Sequence, residues 1–290
     1  MASKVYFTKE ITPESLVAIF DKLGADPKGK VGVKISTGEP GGHNYLKPEL
    51  IGALVKKLNA TIIECNTAYP GRRFKSEEHK KAIREHGFYD IAEVDIMDEN
   101  GDMKIPAGGK HLDVDIVGKD LADYDFIVNL AHFKGHAMGG FGGVLKNQSI
   151  GVASSAGKAY IHTGGTTTDC TAMWNQFAPQ DDFLESMAEA AKAVADYKGG
   201  NIVYIDIMNN LSVDCDCDSN PEAPCMKDIG ILASTDPVAV DQACIDLIWS
   251  SDDEGRDHFI ERVERQNGRH ILPYAESIGL GSREYEVIEF

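Results

Sequence analysis

The sequence predicts an α/β fold, a mostly parallel or mixed sheet with helices on both faces, and three observations support it. Short β-rich runs alternate with longer segments whose apolar residues recur at helical spacing. The β-α-β order is the one that right-handed crossovers between parallel strands require. Polar loops rich in glycine follow several of the runs directly, as expected where strand ends open onto a ligand site.

Val31 to Ile35 reads as the first strand. Pro48 to Leu58 follows as a helix that buries Leu50, Ile51, Leu54, Val55 and Leu58, and Thr61 to Glu64 is the second strand. A polar helix near Ser76 to His86, a strand or two between Ile91 and Val117, and an apolar strand at Phe126 to Leu130 continue the alternation. Asp182 to Tyr197 places Phe183, Met187, Ala190, Ala191 and Val194 on one helical face, and Gly199-Gly200 stops it before a strand at Asn201 to Met208. Asp236-Pro237 combines an N-cap carboxylate with proline at the first helical position. The stripe that follows, Val240, Ala243, Cys244, Leu247 and Ile248, assigns Cys244 to the core. No repeat, low-complexity tract or proline-rich linker marks a boundary, so one domain over 1–290 is expected, with any C-terminal subdomain beginning near residue 200.

A chain of 290 residues with 42% hydrophobic and 26% charged residues buries a sizeable core without disulfides or metal. The 46 acidic residues outnumber the 29 basic ones, giving a formal charge of −17. That balance repels phosphate backbones and anionic membranes, so neither nucleic acid nor membrane is expected as a partner; a small anionic molecule captured by a local basic cluster is. A homo-oligomer or a redox partner is also compatible. The N-terminus lacks a signal-peptide apolar run, which points to a cytoplasmic protein whose six cysteines stay reduced.

The densest cluster of reactive side chains runs from His132 to Asn147. If the preceding strand persists through His136, its period of two places His132, Lys134 and His136 on one face, neighbours about 6 to 7 Å apart. Two imidazoles flanking an ammonium suit anion or metal binding and proton transfer near neutral pH. Gly139, Gly140, Gly142 and Gly143 would let backbone N–H groups approach a ligand, with Lys146 and Asn147 closing over it. The stretch matches neither a Walker A loop nor the G-x-G-x-x-G fingerprint. The alternative is a tight crossing of packed elements.

Two further loops follow strands and are expected to converge on this stretch. The first offers Glu39 and His43 beside Lys34 of its strand, and the second offers Arg72 and Arg73, whose guanidinium groups suit a carboxylate or phosphate. Cys215, Cys217 and Cys225 form C-x-C-x7-C, which reads either as packing or as ligands to Zn or an iron-sulfur cluster. Ser219 and Cys225 occupy the glycine and glutamate positions of an EF-hand loop, which removes calcium of that type. The flanking Asp214, Asp216 and Asp218 are expected to raise thiol pKa values.

Lys34, the segments His132-Phe133-Lys134-Gly135-His136 and Gly143-Val144-Leu145-Lys146-Asn147, and Asp228-Ile229-Gly230-Ile231-Leu232-Ala233-Ser234 through Asp236-Pro237-Val238-Ala239-Val240-Asp241 resemble the domain-of-unknown-function family 362. The resemblance runs from about Val31 to Ile248. It implies an iron-sulfur association, because many members carry a ferredoxin module; the repeated C-x2-C run of that module is absent here. The expectation is an enzyme acting on a small anionic substrate, metal-assisted or redox, with His132 and His136 as acid/base groups or ligands and Lys134 and Lys146 holding charge. The alternative is a non-catalytic metal or iron-sulfur protein using the cysteine loop.

Overall fold

A computed structural model describes residues 2–290. The chain opens with β1 (Ser3–Thr8) and α1 (Pro13–Lys22), whose Thr12 and Ser15 form a capping box. Next come β2 (Val31–Lys34), α2 (Pro48–Lys57), β3 (Thr61–Glu64), α3 (Ser76–Glu85) and β4 (Val94–Ile96). A hairpin of β5 (Asp102–Pro106) and β6 (Val114–Gly118) precedes β7 (Phe126–His132). After it, β8 (Lys134–His136) and β9 (Gly140–Gly142) form a second hairpin, followed by α4 (Val144–Ser149), α5 (Ser155–His162) and α6 (Gln180–Lys198). The chain ends through β10 (Ile202–Met208), β11 (Gly230–Ser234), α7 (Pro237–Ser250), α8 (Arg256–Arg265), α9 (Ile271–Ser277) and β12 (Tyr285–Glu289).

Eight strands form one mixed sheet in the order β12-β1-β11-β10-β7-β2-β3-β4. The block from β10 to β4 is parallel throughout, and only β11 runs against its neighbours. Strands after residue 200 therefore pair directly with β7 and β1. Side-chain alternation along these strands feeds two cores: Val33, Ile62, Val128 and Ile205 pack under α1 and α2, while Ile63, Ile127 and Tyr204 pack under α4, α6 and α7. The α/β fold with helices on both faces is the one the alternation of periods predicts.

One departure changes the site. The strand continues beyond Leu130 to His132 but stops at Phe133, so His132, Lys134 and His136 do not lie along one strand face. Phe133 turns inward and stacks on Phe141 and Phe259, with ring centroids 5.5 and 6.3 Å away, and Gly135 N–H leaves the main sheet to bond Ser212 O at 2.8 Å. An apolar anchor thus ends the strand where polar periodicity suggested that it continued.

Candidate functional site at the sheet's switch point

Within the parallel block the chain moves outward from β2 through β3 to β4, then returns to β7 on the other side of β2. This reversal opens a crevice beyond the carboxyl ends of β2 and β7, the usual place for a ligand in such sheets. Lys34 ends β2, Glu64 ends β3 and His132 ends β7. A cavity of about 220 Å³ lies there, lined by Lys34, Arg73, Lys134, His136, Lys146 and Lys158 on its polar side. Met138, Met173, Phe177, Phe183 and Met187 form the apolar wall.

Lys34 is buried, and its Nζ donates to Ile35 O at 2.6 Å and Asn147 Oδ1 at 3.0 Å. Burial, only partly offset by Glu64, lowers its pKa to about 7. Asn147 answers by donating Nδ2 to Lys34 O at 3.0 Å and Asn129 Oδ1 at 2.7 Å, tying α4 to β2 and β7. Asn147 thus positions Lys34 and itself lines the cavity.

Beneath them, Arg73 donates Nε to Glu39 Oε2 at 2.8 Å and an η nitrogen to Glu64 Oε1 at 3.1 Å. Burial would raise the Glu64 carboxyl, but the His79 hydrogen bond and Arg73 outweigh it and hold the group well below the usual range. The two sequence-predicted arginines therefore part company. Arg73 is buried at the cavity, whereas Arg72 makes an exposed bidentate pair with Glu85 at 2.7 Å, and His43 is exposed away from the site. Glu39 accepts from Arg73 and Tyr69.

The glycines hold a carboxylate that the chain itself supplies. The N–H groups of Val144 and Leu145, freed at the start of α4, donate to Asp241 Oδ1 at 2.9 Å and Oδ2 at 3.1 Å. A Cβ on Gly143 would fall 2.2 Å from Asp241 Oδ1, so glycine there admits the cap. Gly140, at φ +78°, lies against the Gly268 backbone, and Gly142 pairs with Lys134 in the hairpin. These contacts give Gly140, Gly142 and Gly143 structural tasks, and Gly143 also lines the cavity.

The cysteine loop folds across the hairpin. Asp216 pairs with His132 Nδ1 at 2.8 Å and Lys134 Nζ at 2.9 Å, while His132 Nε2 meets Asn209 O at 2.6 Å. Burial would raise the Asp216 carboxyl, but Lys134 and His132 bring it to about 2. His132 is thereby committed to anchoring the loop and does not line the cavity. Asp216 is thus an ionised, ion-paired carboxylate, and the adjacent Cys215 thiol is lowered rather than raised as expected. Cys215 is held well below the ordinary thiol range by the Cys217 hydrogen bond, against the cost of burial, with help from Lys146 at 3.3 Å. Lys146 rises to about 12, the thiols outweighing its burial.

His136 Nε2 and the sulfurs of Cys215 and Cys217 lie within 4.8 Å of one another. Cys225 is elsewhere, its Sγ directed at Leu211 O at 3.3 Å. An iron-sulfur cluster does not fit, since only two cysteines converge among the described residues. A zinc ion fits poorly for a different reason. Met138 and Gly139 N–H groups donate to His136 Nδ1 at 3.1 and 2.8 Å, which leaves the ring proton on Nε2, the nitrogen that faces the sulfurs.

The profile of the domain of unknown function DUF362 matches residues 31–246, three quarters of the chain and the whole of the site just described. The chain belongs to the DUF362 family. No curated protein matches this DUF362 chain in sequence. Among solved structures it is similar to the lactate racemase apoprotein from Thermoanaerobacterium thermosaccharolyticum, at 12% identity and a TM-score of 0.48, covering 84% of this chain and 56% of that one. It is also similar to a protein from Thermotoga maritima, at 13% identity and a TM-score of 0.44, covering 90% and 58%. The DUF362 chain thus spans little more than half the length of either. No helix among the described residues is long and apolar enough to cross a membrane.

Sequence reasoning missed Glu64, Lys158, His162, Asp216, Asp241 and the methionine and aromatic wall. Lys158 and His162 carry a signal: they follow Ser154, the N-cap of α5, and their i, i+4 spacing places both on one face of that helix.

Proposed function

We propose that this DUF362 chain is an enzyme acting on a small organic anion that also carries an apolar group. One observation supports the reading above the rest: Lys34, Lys146, Lys158 and Arg73 line, with Glu64 the one carboxylate among the lining residues, a single cavity that also has an apolar side of Met138, Met173, Trp174, Phe177, Phe183 and Met187, in a chain of net charge −17. Cations gathered against the overall charge suit a carboxylate or phosphate, and the apolar wall suits a hydrocarbon or aromatic portion. Lys146 and Lys158 hold the anionic head. Lys34, with a pKa of about 7, exchanges a proton with the substrate near neutral pH.

Calorimetric titration with short-chain carboxylates and alkyl phosphates tests this reading. Affinity is expected to rise about fourfold per added methylene, from about 0.8 kcal/mol of apolar burial each. Lys158→Ala should weaken binding roughly tenfold to a hundredfold, the worth of a charge-assisted hydrogen bond, with circular dichroism unchanged. Equal affinity of wild type and Lys158→Ala would overturn the assignment.

A further inference from the structure

A ladder of aromatic rings runs along one side of the cavity and out to its mouth. Phe183, buried on α6, stacks on His162 with ring centroids 4.8 Å apart. Phe177 lies 6.3 Å from that imidazole, and Trp174 meets Phe177 edge to face at 5.5 Å. All four side chains line the cavity, yet Trp174 is 52% and Phe177 38% exposed. The fold holds them there: Met173 is buried against Ala68 and Ala159, and Asp169 caps the turn by accepting from the N–H groups of Thr171 and Ala172 at 2.7 and 3.0 Å. His162 sides with the rings rather than with the cations. Its Nδ1 donates to Lys158 O at 2.7 Å, and burial lowers its pKa to about 4, so the imidazole is neutral.

Two quantities limit what such a wall receives. The cavity measures about 220 Å³, and about 150 Å³ is enough for one benzene ring. The remainder takes a carboxylate on a short linker but no second ring. Lys158 and His162 stand one turn apart on the same face of α5, which puts their Cβ atoms about 5 to 6 Å apart. That is the reach of a carboxylate joined to a ring by one or two carbons. From this juxtaposition we propose that the bound anion is a monocyclic aryl carboxylate, its ring selected by Trp174 and Phe177 and its charge held by Lys158 and Lys146. The proposal rests on the reading of the cavity as an anion site and adds the ring to it. Aromatic rings packed offset or edge to face gain about twofold to tenfold in affinity beyond what their buried area supplies. A saturated ring of the same carbon count has no such gain, and burial of apolar surface alone favours it at least equally.

The test is calorimetric titration of the full chain with phenylacetate and cyclohexylacetate, which share the carboxylate, the linker and the number of carbons. The wild type should bind phenylacetate about twofold to tenfold more tightly. Trp174→Phe should keep that preference and Trp174→Leu should lose it, with circular dichroism unchanged in both. 1-Naphthylacetate should bind more weakly than phenylacetate, because its second ring exceeds the cavity. The chain has two tryptophans, so Trp249→Phe leaves Trp174 as the sole emitter, and saturation with phenylacetate should change its fluorescence. Cyclohexylacetate binding as tightly as phenylacetate, a preference that survives in Trp174→Leu, tighter binding of the naphthyl acid, or unaltered Trp174 emission would each overturn the proposal. The two readings separate in the wild type. Equal binding of both matched acids removes the aromatic selection and leaves the anion site standing, whereas binding of neither removes the anion site and the ring with it.

Discussion

Single residues at the site act mainly by deciding which buried charges are satisfied. Arg73 is the clearest case, since one guanidinium serves Glu39 and Glu64 while 3% exposed. Replacing it with methionine keeps the bulk but strands two carboxylates in a dry environment. Arg73→Met should therefore cost about 3 to 5 kcal/mol in urea unfolding, and a loss under about 1 kcal/mol would show that the carboxylates find other partners. Arg72→Met is the control, because its pair with Glu85 is solvent-exposed and its loss should leave the urea midpoint nearly unchanged. Lys34 shows the converse. It bonds to neutral oxygens, a carbonyl and an amide, and so burial is free to weaken its hold on its proton.

At the level of elements, the second hairpin and α4 form one unit whose glycines are structural. Gly140 combines left-handed φ with contact against backbone: a Cβ there would lie 2.8 Å from Gly268 Cα. Gly140→Ala should cost about 2 to 4 kcal/mol, summing αL strain and overlap. A Cβ on Gly142 would meet Lys146 Cδ at 3.5 Å and Lys134 Cε at 3.7 Å, ordinary contacts with flexible side chains. Gly142→Ala should leave thermal stability nearly unchanged, and a reversed order of the two melting temperatures would refute this assignment of roles. The strand break at Phe133 has the same origin, an apolar ring drawn into the core beneath α8.

For the whole molecule, buried carboxyls of opposite kinds shape the dependence of stability on pH. Glu64 and Asp216 have depressed folded pKa values, so what they contribute is present above the unfolded value of about 4 and is lost as pH falls through the folded values, about 2 for Asp216. Asp206, Asp241 and Asp115 are raised chiefly by burial, Asp241 to about 6 and Asp115 to about 7. For these the folded state binds more protons than the unfolded chain, and the stability they contribute below about pH 4 is lost as pH rises through 6 and 7. Asp206→Asn removes one of the coupled pair and should raise the melting temperature at pH 8 more than at pH 4.5. An equal shift at both pH values would mean that the Asp206–Asp241 pair does not govern this limb.

The alternation of strands and helices between Val31 and Ile248 was largely legible in the sequence, because it is local, whereas β1 and α1 before it and α8, α9 and β12 after it were not read. Periods of two and of 3.6 residues, caps such as Asp236-Pro237, and glycine-rich loops after strands are written within a few neighbouring residues. Lys34, Lys146 and Asn147, which line the cavity, could be singled out for that reason. Only the tertiary structure decided how polar groups were partnered. The Asp241 cap lies 97 positions from Val144, and Cys215 lies 69 positions from Lys146. Such pairs are brought together by the sheet order and the reversal between β2 and β7, which no local period encodes. A lysine at a strand end was therefore visible in advance, but whether it meets a carboxylate, a thiol or a neutral amide depended on the crossings of the folded chain.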